Sequence, residues 1–306
     1  MLHKHVVHML NYLKYDKTSG ASELIDTSLD IIETQLKHIK DSQQDIKDII
    51  LELSKEIFHS RPSMAPIINA IGFIVHDLEH FNKETITTRI SEYKQYNARR
   101  KEILNTNFKI FLDGLPMEHL NIMLISYSST VVSFFESLQD KDYTFYILES
   151  RPLLEGRKTA EILASKYEVN LITDSAIGKF ISDVNLILTG IDSILKDGSI
   201  INKIGTYPLA TIGKLNNKQV YAIADSFKYN IKSHYDIPVI IEEKPEYEIY
   251  SKKIKNETFK VHNYYFEITP PQYFDAIISD LGILPIPEFL IKVKDFLPLD
   301  WYNLFL

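Results

Sequence analysis

Apolar side chains recur every three or four positions through the first third of the chain, the spacing of helices that pack along one stripe. The clearest series is Ile46, Ile49, Ile50, Leu53 and Ile57, and a looser one is Leu24, Ile31, Ile32, Leu36 and Ile39. A third helix is predicted from about residue 83 to residue 104. The pattern therefore predicts a helical domain over residues 1–115.

The third predicted helix carries basic residues, Arg89, Arg99, Arg100 and Lys101, which we place on its outside. Basic side chains late in a helix interact favourably with its negative carboxyl end. We therefore interpret Arg99 and Arg100 as helix-end residues, with a role in ligand binding as the alternative.

From Asn121 the pattern changes to short apolar runs, which lie at residues 122–125, 144–148, 170–173, 186–189 and 220–224. Helical stretches are predicted between them, at about 129–138, 155–167, 175–183 and 207–216. Strands that alternate with helices at this spacing indicate a parallel sheet buried on both faces. Right-handed crossovers then bring the loops that follow the strands to one edge of the sheet.

Two later segments have weaker patterns. Residues 269–271, Thr-Pro-Pro, are predicted to start a helix that continues through Ile277 and Ile278 and ends at Gly282. The charged segment 242–246 is predicted to be a solvated excursion. Together with the strands, these segments complete a second, α/β domain over residues 116–306.

The length and amino-acid composition of the chain argue against several classes of function. A length of 306 residues fits two domains, and a net charge of -7 argues against a nucleic-acid partner, which requires a basic face. The chain has no cysteine, which excludes thiolate chemistry, and its histidines are scattered, so we expect no metal. It has no apolar run of the roughly 20 residues that span a membrane and no signal-peptide core, so we expect a soluble, cytoplasmic protein without a membrane partner.

No glycine-rich dinucleotide fingerprint and no P-loop occur, so no cofactor is predicted. The loops after the strands nevertheless carry hydroxyls and charges. Ser126, Ser128 and Ser129 lie between a strand and a helix, where hydroxyls and backbone N–H groups either cradle a phosphate or simply cap the helix. Arg151 follows the next strand and suits bidentate recognition of a phosphate, or it pairs with a glutamate and fixes the loop.

A carboxylate follows the fourth apolar run. Asp192 is a candidate general acid or base, or else an ion-pair partner of a neighbouring lysine. The loop with Asn202 and Lys203 is predicted to open a helix at the same sheet edge, where Lys228 also falls, and Arg61 could reach across from the first domain. A cationic pocket with one carboxylate suits a sugar phosphate.

The order and spacing of these loops resemble one family, the alpha, beta and delta regulatory subunits of translation initiation factor 2B. The family includes archaeal homologues and two isomerases, which act on ribose-1,5-bisphosphate and methylthioribose-1-phosphate. The motifs that carry the resemblance are Tyr127-Ser128-Ser129-Thr130, Glu149-Ser150-Arg151-Pro152, Thr173-Asp174-Ser175-Ala176, Asn202-Lys203-Ile204-Gly205-Thr206 and Asp225-Ser226-Phe227-Lys228. Ser60-Arg61-Pro62-Ser63 and Thr269-Pro270-Pro271 extend the resemblance over about residues 17–285.

The resemblance implies an α/β fold, in which a helical amino-terminal domain precedes a Rossmann-like domain with a parallel sheet. It implies self-association into a dimer or a higher oligomer, and association with initiation factor 2 or other 2B-type subunits. In the family's isomerases the site lies between the domains, where a cysteine and an aspartate transfer the protons. The cysteine position is Ser126 here, and the aspartate position is Asp192.

Two positions depart from the isomerase pattern. A serine hydroxyl is several pKa units too weak an acid to replace a thiol without an adjacent base. An arginine of the family's phosphate motif is replaced in Ser19-Gly20. We therefore expect a regulatory subunit whose pocket binds a small phosphorylated ligand, a sugar phosphate or nucleotide, without catalysis. The alternative is an aldose–ketose isomerase of the ribose-1,5-bisphosphate type.

Overall fold

The computed structural model describes residues 2–16, 19–39, 43–61, 64–76, 78, 81–138, 142–252 and 258–305. Every structural statement below concerns these residues. Pro62 and Ser63, which belong to one of the motifs above, lie outside them.

Five helices form the amino-terminal part: α1 (Lys4–Tyr15), α2 (Ala21–His38), α3 (Gln43–Ser60), α4 (Ala65–Val75) and α5 (Lys83–Asp113). Helix α4 is apolar on every side apart from Asn69, and all its residues except Phe73 are buried. A helix that is apolar all round must be enclosed by other elements. It therefore lies between the other helices and the sheet that follows.

The carboxyl-terminal part contains a seven-stranded sheet in the order β10-β9-β7-β4-β1-β2-β3. Its strands are β1 (His119–Ile125), β2 (Asp142–Leu148), β3 (Glu168–Ile172), β4 (Leu186–Gly190), β7 (Gln219–Ile223), β9 (Ala276–Ser279) and β10 (Gly282–Leu284). All neighbours pair in parallel except β10, which is antiparallel to β9. A second, antiparallel sheet contains β5 (Ser193–Ile194), β6 (Ile200–Lys203) and β8 (Phe266–Thr269).

Helices lie between the strands and after the last one: α6 (Ser129–Ser137), α7 (Glu155–Leu163), α8 (Ile177–Phe180), α9 (Thr206–Leu215), α10 (Ile231–His234) and, after β10, α11 (Ile286–Phe296). Both faces of the large sheet are covered, because Ile122 and Leu124 of β1 join one apolar cluster while Met123 and Ile125 join the other. The predicted fold class, α/β with a helical amino-terminal region and a mostly parallel sheet, is confirmed. The division into domains at residue 115 stays a prediction.

The helix predicted from residue 271 to Gly282 is wrong. A single helical turn at Pro271–Tyr273 is followed by strand β9, and Gly282 begins β10 with a φ of 120°. The apolar pair Ile277 and Ile278 is too short for its periodicity to separate a helix from a buried strand. Pairing with the free edge of β7 decides in favour of the strand.

Asn202 and Lys203 were predicted to lie in a loop that opens a helix at about 207–216. The helix is present as α9, but the prediction of a loop is wrong for these two residues. Both residues lie in β6, which pairs with β5 on one side and β8 on the other, and the helix starts only at Thr206. The turn between them uses Gly205 at a φ of 103°, a conformation that favours glycine. The helix predicted at 175–183 is a series of short helical turns.

The helical part and the sheet part are joined by hydrogen bonds and aromatic packing. Asn69 of α4 donates its side-chain amide to the carbonyls of Phe227 and Tyr229, both at 2.7 Å. Trp301 is 5% exposed and lies directly against Gly72 of α4. No helix of the described residues is both long and apolar enough to cross a membrane.

Replacing Gly72 by alanine tests this contact. A Cβ at Gly72 would lie 1.9 Å from Cε2 of Trp301, so we expect Gly72→Ala to lower the free energy of unfolding by about 1–3 kcal/mol. Urea titration of both proteins measures the difference. The matched control is Gly178→Ala, because a Cβ there meets nothing within 4 Å and should leave stability nearly unchanged. Equal stability of the two variants would contradict the close packing.

Candidate functional site

A cleft of about 1510 Å³, part of it open to solvent, lies at the carboxyl ends of β1, β4 and β7. The starts of α2 and α6 and the middle of α5 form its other walls. Carboxyl ends of parallel strands are where open α/β sheets bind ligands. Of the predicted site residues, those that line the cleft are Ser19, Gly20, Arg61, Ser126, Ser128, Ser129, Asp192, Asn202 and Lys228.

Ser126 follows β1 in a left-handed conformation with a φ of 66°. This conformation is costly for a residue with a Cβ, so it persists only where the surroundings hold it. The N–H of Ser126 donates to Ser150 Oγ at 2.8 Å, and its carbonyl accepts from Thr159 Oγ1 at 2.8 Å. Within the described part of the chain its own hydroxyl makes no hydrogen bond.

Two helices begin side by side at the cleft. Helix α6 is capped by Ser128, whose Oγ accepts from the N–H of Val131 at 3.4 Å. Helix α2 begins after Gly20, where a Cβ would lie 3.8 Å from Ser129 Oγ. A Cβ on Gly190 would lie only 2.9 Å from the Cβ of Ser128. The absence of a side chain at Gly190 therefore allows the end of β4 to approach the loop after β1 closely. Two helix amino-termini give the cleft a positive partial charge.

Arg61 brings a guanidinium into the cleft from the end of α3. Its Nε donates to the carbonyl of Leu13 at 2.7 Å, and a terminal nitrogen donates to the carbonyl of Asp16. Burial lowers the pKa of Arg61, against the opposing effect of the Asp16 and Glu242 carboxylates. The backbone carbonyls position this side chain without neutralising its charge.

Asp192 lies just beyond β4, with a carboxylate oxygen 4.0 Å from Nζ of Lys228. Burial raises the pKa of Asp192, because a carboxylate loses its hydration, and the charges of Lys228 and Lys203 only partly oppose this. The side chain is therefore a carboxyl group whose proton affinity exceeds that of an ordinary aspartate.

Two predicted site residues lie elsewhere. Lys203 does not line the cleft: it is 2% exposed and forms an ion pair at 2.8 Å with Glu155, which does line it. Arg151 is exposed, and its guanidinium reaches only the carbonyl of Glu248, at 3.5 Å. The arginine that pairs with a glutamate in this loop is Arg157, which contacts Glu149 at 2.8 Å.

Arg100 is the residue that the sequence analysis misplaced. It is 2% exposed rather than on the outside of α5, and it lines the cleft. Its Nη1 donates to Asp225 Oδ1 at 2.7 Å, and its guanidinium carbon lies 3.7 Å from the centre of the Phe227 ring. The available signal was periodicity, because Arg100 falls on the buried stripe of α5 formed by Ile86, Ile90, Tyr93, Leu104 and Phe108.

Asp225 and Asp280 both lie close enough to Arg100 for its positive charge to lower their pKa values. Burial favours the neutral form of Asp225, but Arg100 and Lys228 outweigh it and hold the pKa of Asp225 below its usual value. Burial and the charge of Asp225 raise the pKa of Asp280, which accepts the N–H and hydroxyl of Ser226 at 2.7 and 2.8 Å. The two neighbouring acids therefore differ in proton affinity.

The segment 242–246 is not wholly a solvated excursion, because Glu242 and Lys244 line the cleft and contact each other. The N–H of Lys244 donates to the carbonyl of Asn263 at 2.7 Å, and its Nζ lies 5.5 Å from the centre of the Tyr265 ring. This part of the cleft mixes charges of both signs beside an aromatic ring.

Comparison with known proteins gives concordant results. The model of the initiation factor 2 subunit family matches residues 17–286. The eIF-2B subunit 2-like protein of Pyrococcus furiosus is 30% identical over 295 residues, 95% of this chain and 100% of that protein. The ribose 1,5-bisphosphate isomerase of Methanocaldococcus jannaschii is 28% identical over 248 residues, 80% of this chain and 79% of that protein.

Among solved structures, the translation initiation factor eIF-2B of Pyrococcus horikoshii OT3 superposes with a TM-score of 0.80 at 27% identity. The match covers 94% of this chain and all of that one. Similarity therefore extends to proteins named as initiation factors and to a protein named as an isomerase.

The opposite pKa shifts of Asp192 and Asp225 predict opposite responses to neutralisation. A raised folded-state pKa means that ionised Asp192 costs stability at neutral pH, so Asp192→Asn should raise the unfolding midpoint. A lowered pKa means that ionised Asp225 contributes stability, so Asp225→Asn should lower the midpoint. Thermal unfolding at neutral pH measures both.

Both differences should shrink as the pH falls through the range in which aspartates take up protons, because the wild-type side chains then become neutral as well. Shifts of the same sign in the two variants at neutral pH would contradict the assignment.

Proposed function

The chain belongs to the initiation factor 2 subunit family, and we propose that it is a translation initiation factor 2B-like regulatory subunit of the archaeal type. In this proposal the cleft binds a sugar phosphate or nucleotide and does not transform it. The observation that carries the proposal is Ser126, which occupies the cysteine position of the isomerases in a chain without any cysteine.

The lining of the cleft supports a phosphorylated ligand. Arg61 and Lys228 supply positive charge, and the adjoining starts of α2 and α6 supply backbone N–H groups. Charge-assisted hydrogen bonds to phosphate oxygens are among the strongest that a protein makes. The acids within the same lining limit the total positive charge, as in a site for one phosphate group and a neutral remainder.

The environment of Ser126 supports binding without catalysis. A hydroxyl works as a proton donor or nucleophile when a base lies within hydrogen-bond reach. Ser126 has no such partner among the described residues, and its backbone is fixed by Ser150 and Thr159. Its hydroxyl is suited to a hydrogen bond with a ligand.

Asp192 favours a second candidate function, an aldose–ketose isomerase of the ribose-1,5-bisphosphate type. A partly buried carboxyl group with a raised pKa, close to Lys228, is suited to general acid–base catalysis. In this candidate Asp192 moves the proton between adjacent carbons and a hydroxyl group replaces the thiol.

The proposed regulatory role includes partners. We propose that the protein acts in the cytoplasm as a dimer or higher oligomer and associates with initiation factor 2 or with other 2B-type subunits. Similarity to proteins named as initiation factor 2B subunits supports this part. Sedimentation of the purified protein alone and with initiation factor 2 tests it. A protein that sediments as a monomer and does not bind the factor would refute it.

Binding of phosphorylated ligands is tested by thermal shift with ribose 5-phosphate, ribose 1,5-bisphosphate and adenosine monophosphate. A ligand at about 100 times its Kd should add about 2.7 kcal/mol of stability. Lys228→Met should weaken binding about tenfold, because it removes a cation from the lining. Lys218→Met is the matched control, since Lys218 precedes β7 at the opposite end of the strand. No stabilisation by any ligand would refute the proposal.

Turnover of ribose 1,5-bisphosphate separates the two candidate functions. We expect none from the wild-type protein, and gain of turnover in Ser126→Cys, because the thiol restores the missing acid while Asp192 is retained. Wild-type turnover that disappears in Asp192→Asn would instead establish the isomerase. The Ser126→Cys/Asp192→Asn double variant controls for turnover that arises from the thiol alone.

A further inference from the structure

The ion pair between Arg100 and Asp225 crosses from the helical part to the sheet part at the wall of the cleft. Arg100 lies in the middle of α5, and Asp225 follows β7. The side chains are 3% and 20% exposed, and both residues line the cleft. Because desolvation offsets much of the attraction between buried charges, such a pair is weak evidence of stabilisation.

The guanidinium of Arg100 is only partly used. One terminal nitrogen donates to Asp225 Oδ1 at 2.7 Å and the other to Asn97 Oδ1 at 2.8 Å, whereas Nε is buried and has no hydrogen-bond partner among the described residues. The contact with Asp225 is therefore through one carboxylate oxygen rather than the two-bonded arrangement that arginine forms with carboxylates and phosphates.

Asp225 is also held by other groups. Its Oδ1 accepts the N–H of Phe227 at 2.9 Å, and Lys228 contributes to its electrostatic stabilisation. The carboxylate consequently keeps partners of its own when Arg100 shares its N–H groups with another anion. Phe227, against whose ring the guanidinium lies, keeps the arginine at the cleft wall.

We propose that Arg100 is a phosphate-binding residue of the cleft and that Asp225 competes with the ligand for it. The incoming phosphate accepts the terminal N–H groups of Arg100 that Asp225 and Asn97 leave unused, and it weakens the bond to Asp225. Asp225 thereby lowers the affinity of the cleft for phosphate. The inference rests on the proposed function, because it assumes that a phosphorylated ligand occupies this cleft.

Asp225→Asn removes the competing charge while keeping an oxygen for the N–H of Phe227. Isothermal titration with inorganic phosphate and with ribose 5-phosphate should show binding about tenfold tighter than in wild type. The matched variant is Arg100→Lys/Asp225→Asn, which has the same net charge as Asp225→Asn but lacks the planar guanidinium. It should lose most of the gain in phosphate affinity.

The double variant distinguishes direct binding from a general effect of charge. Equal affinity of Asp225→Asn and the double variant, or no gain in Asp225→Asn, would overturn the inference and leave the proposed function standing. If the wild type and both variants fail to bind either probe, both the inference and the proposed function are overturned.

Arg100→Lys provides a second measurement should Asp225→Asn fail to fold. Lysine retains the charge beside Asp225 but offers no second nitrogen, so we expect phosphate affinity to fall several-fold while circular dichroism stays unchanged. Unchanged phosphate affinity in a folded Arg100→Lys protein would overturn the inference.

Discussion

The enclosure of α4 is the constraint on which the rest of the molecule depends. Apart from Asn69, α4 carries only apolar side chains, and such a helix cannot lie at the edge of a structure because any apolar face left in water forfeits its burial energy. The other helices cover part of α4, and the residues after β7, through Phe227 and Tyr229, cover another part. The helical part and the sheet part are thus held together, and the cleft is the polar space along their junction.

The pairing of charges in that junction is a consequence of its burial. Arg61, Arg100 and Lys228 approach from different elements, and carboxylates accompany them, because isolated charges would be too costly in such a place. Asp192 and Asp225 illustrate the outcome. Both are carboxylates beside Lys228, yet only Asp225 also bonds a guanidinium, and their proton affinities shift in opposite directions.

Much of this architecture could be predicted from local patterns. The apolar runs at 122–125, 144–148, 186–189 and 220–224 are strands of the large sheet, and the family resemblance drawn from the loop motifs is confirmed. Periodicity alone does not separate such short runs from buried helix segments, but their length and their alternation with helical stretches favour strands buried on both faces. The loops that follow three of these strands, after β1, β4 and β7, line the cleft.

The errors share a cause, since each concerned a residue whose partner is distant in sequence. Strand β9 exists because β7 offers a free edge, and Asn202 lies in a strand because β8 pairs with it. Arg100 was assigned to the surface by its charge, although its position on an apolar stripe indicated burial. The charge that balances it is Asp225, which lies on another element.

The contact between Trp301 and Gly72 has a consequence for how the protein is made on the ribosome. The groove at Gly72 belongs to a helix synthesised early, but the indole that fills it comes from residues synthesised long afterwards. The amino-terminal helices therefore cannot complete their core while the sheet part is still being translated, and α4 exposes apolar surface throughout this interval. Such exposed apolar surface is prone to aggregate until the later residues cover it.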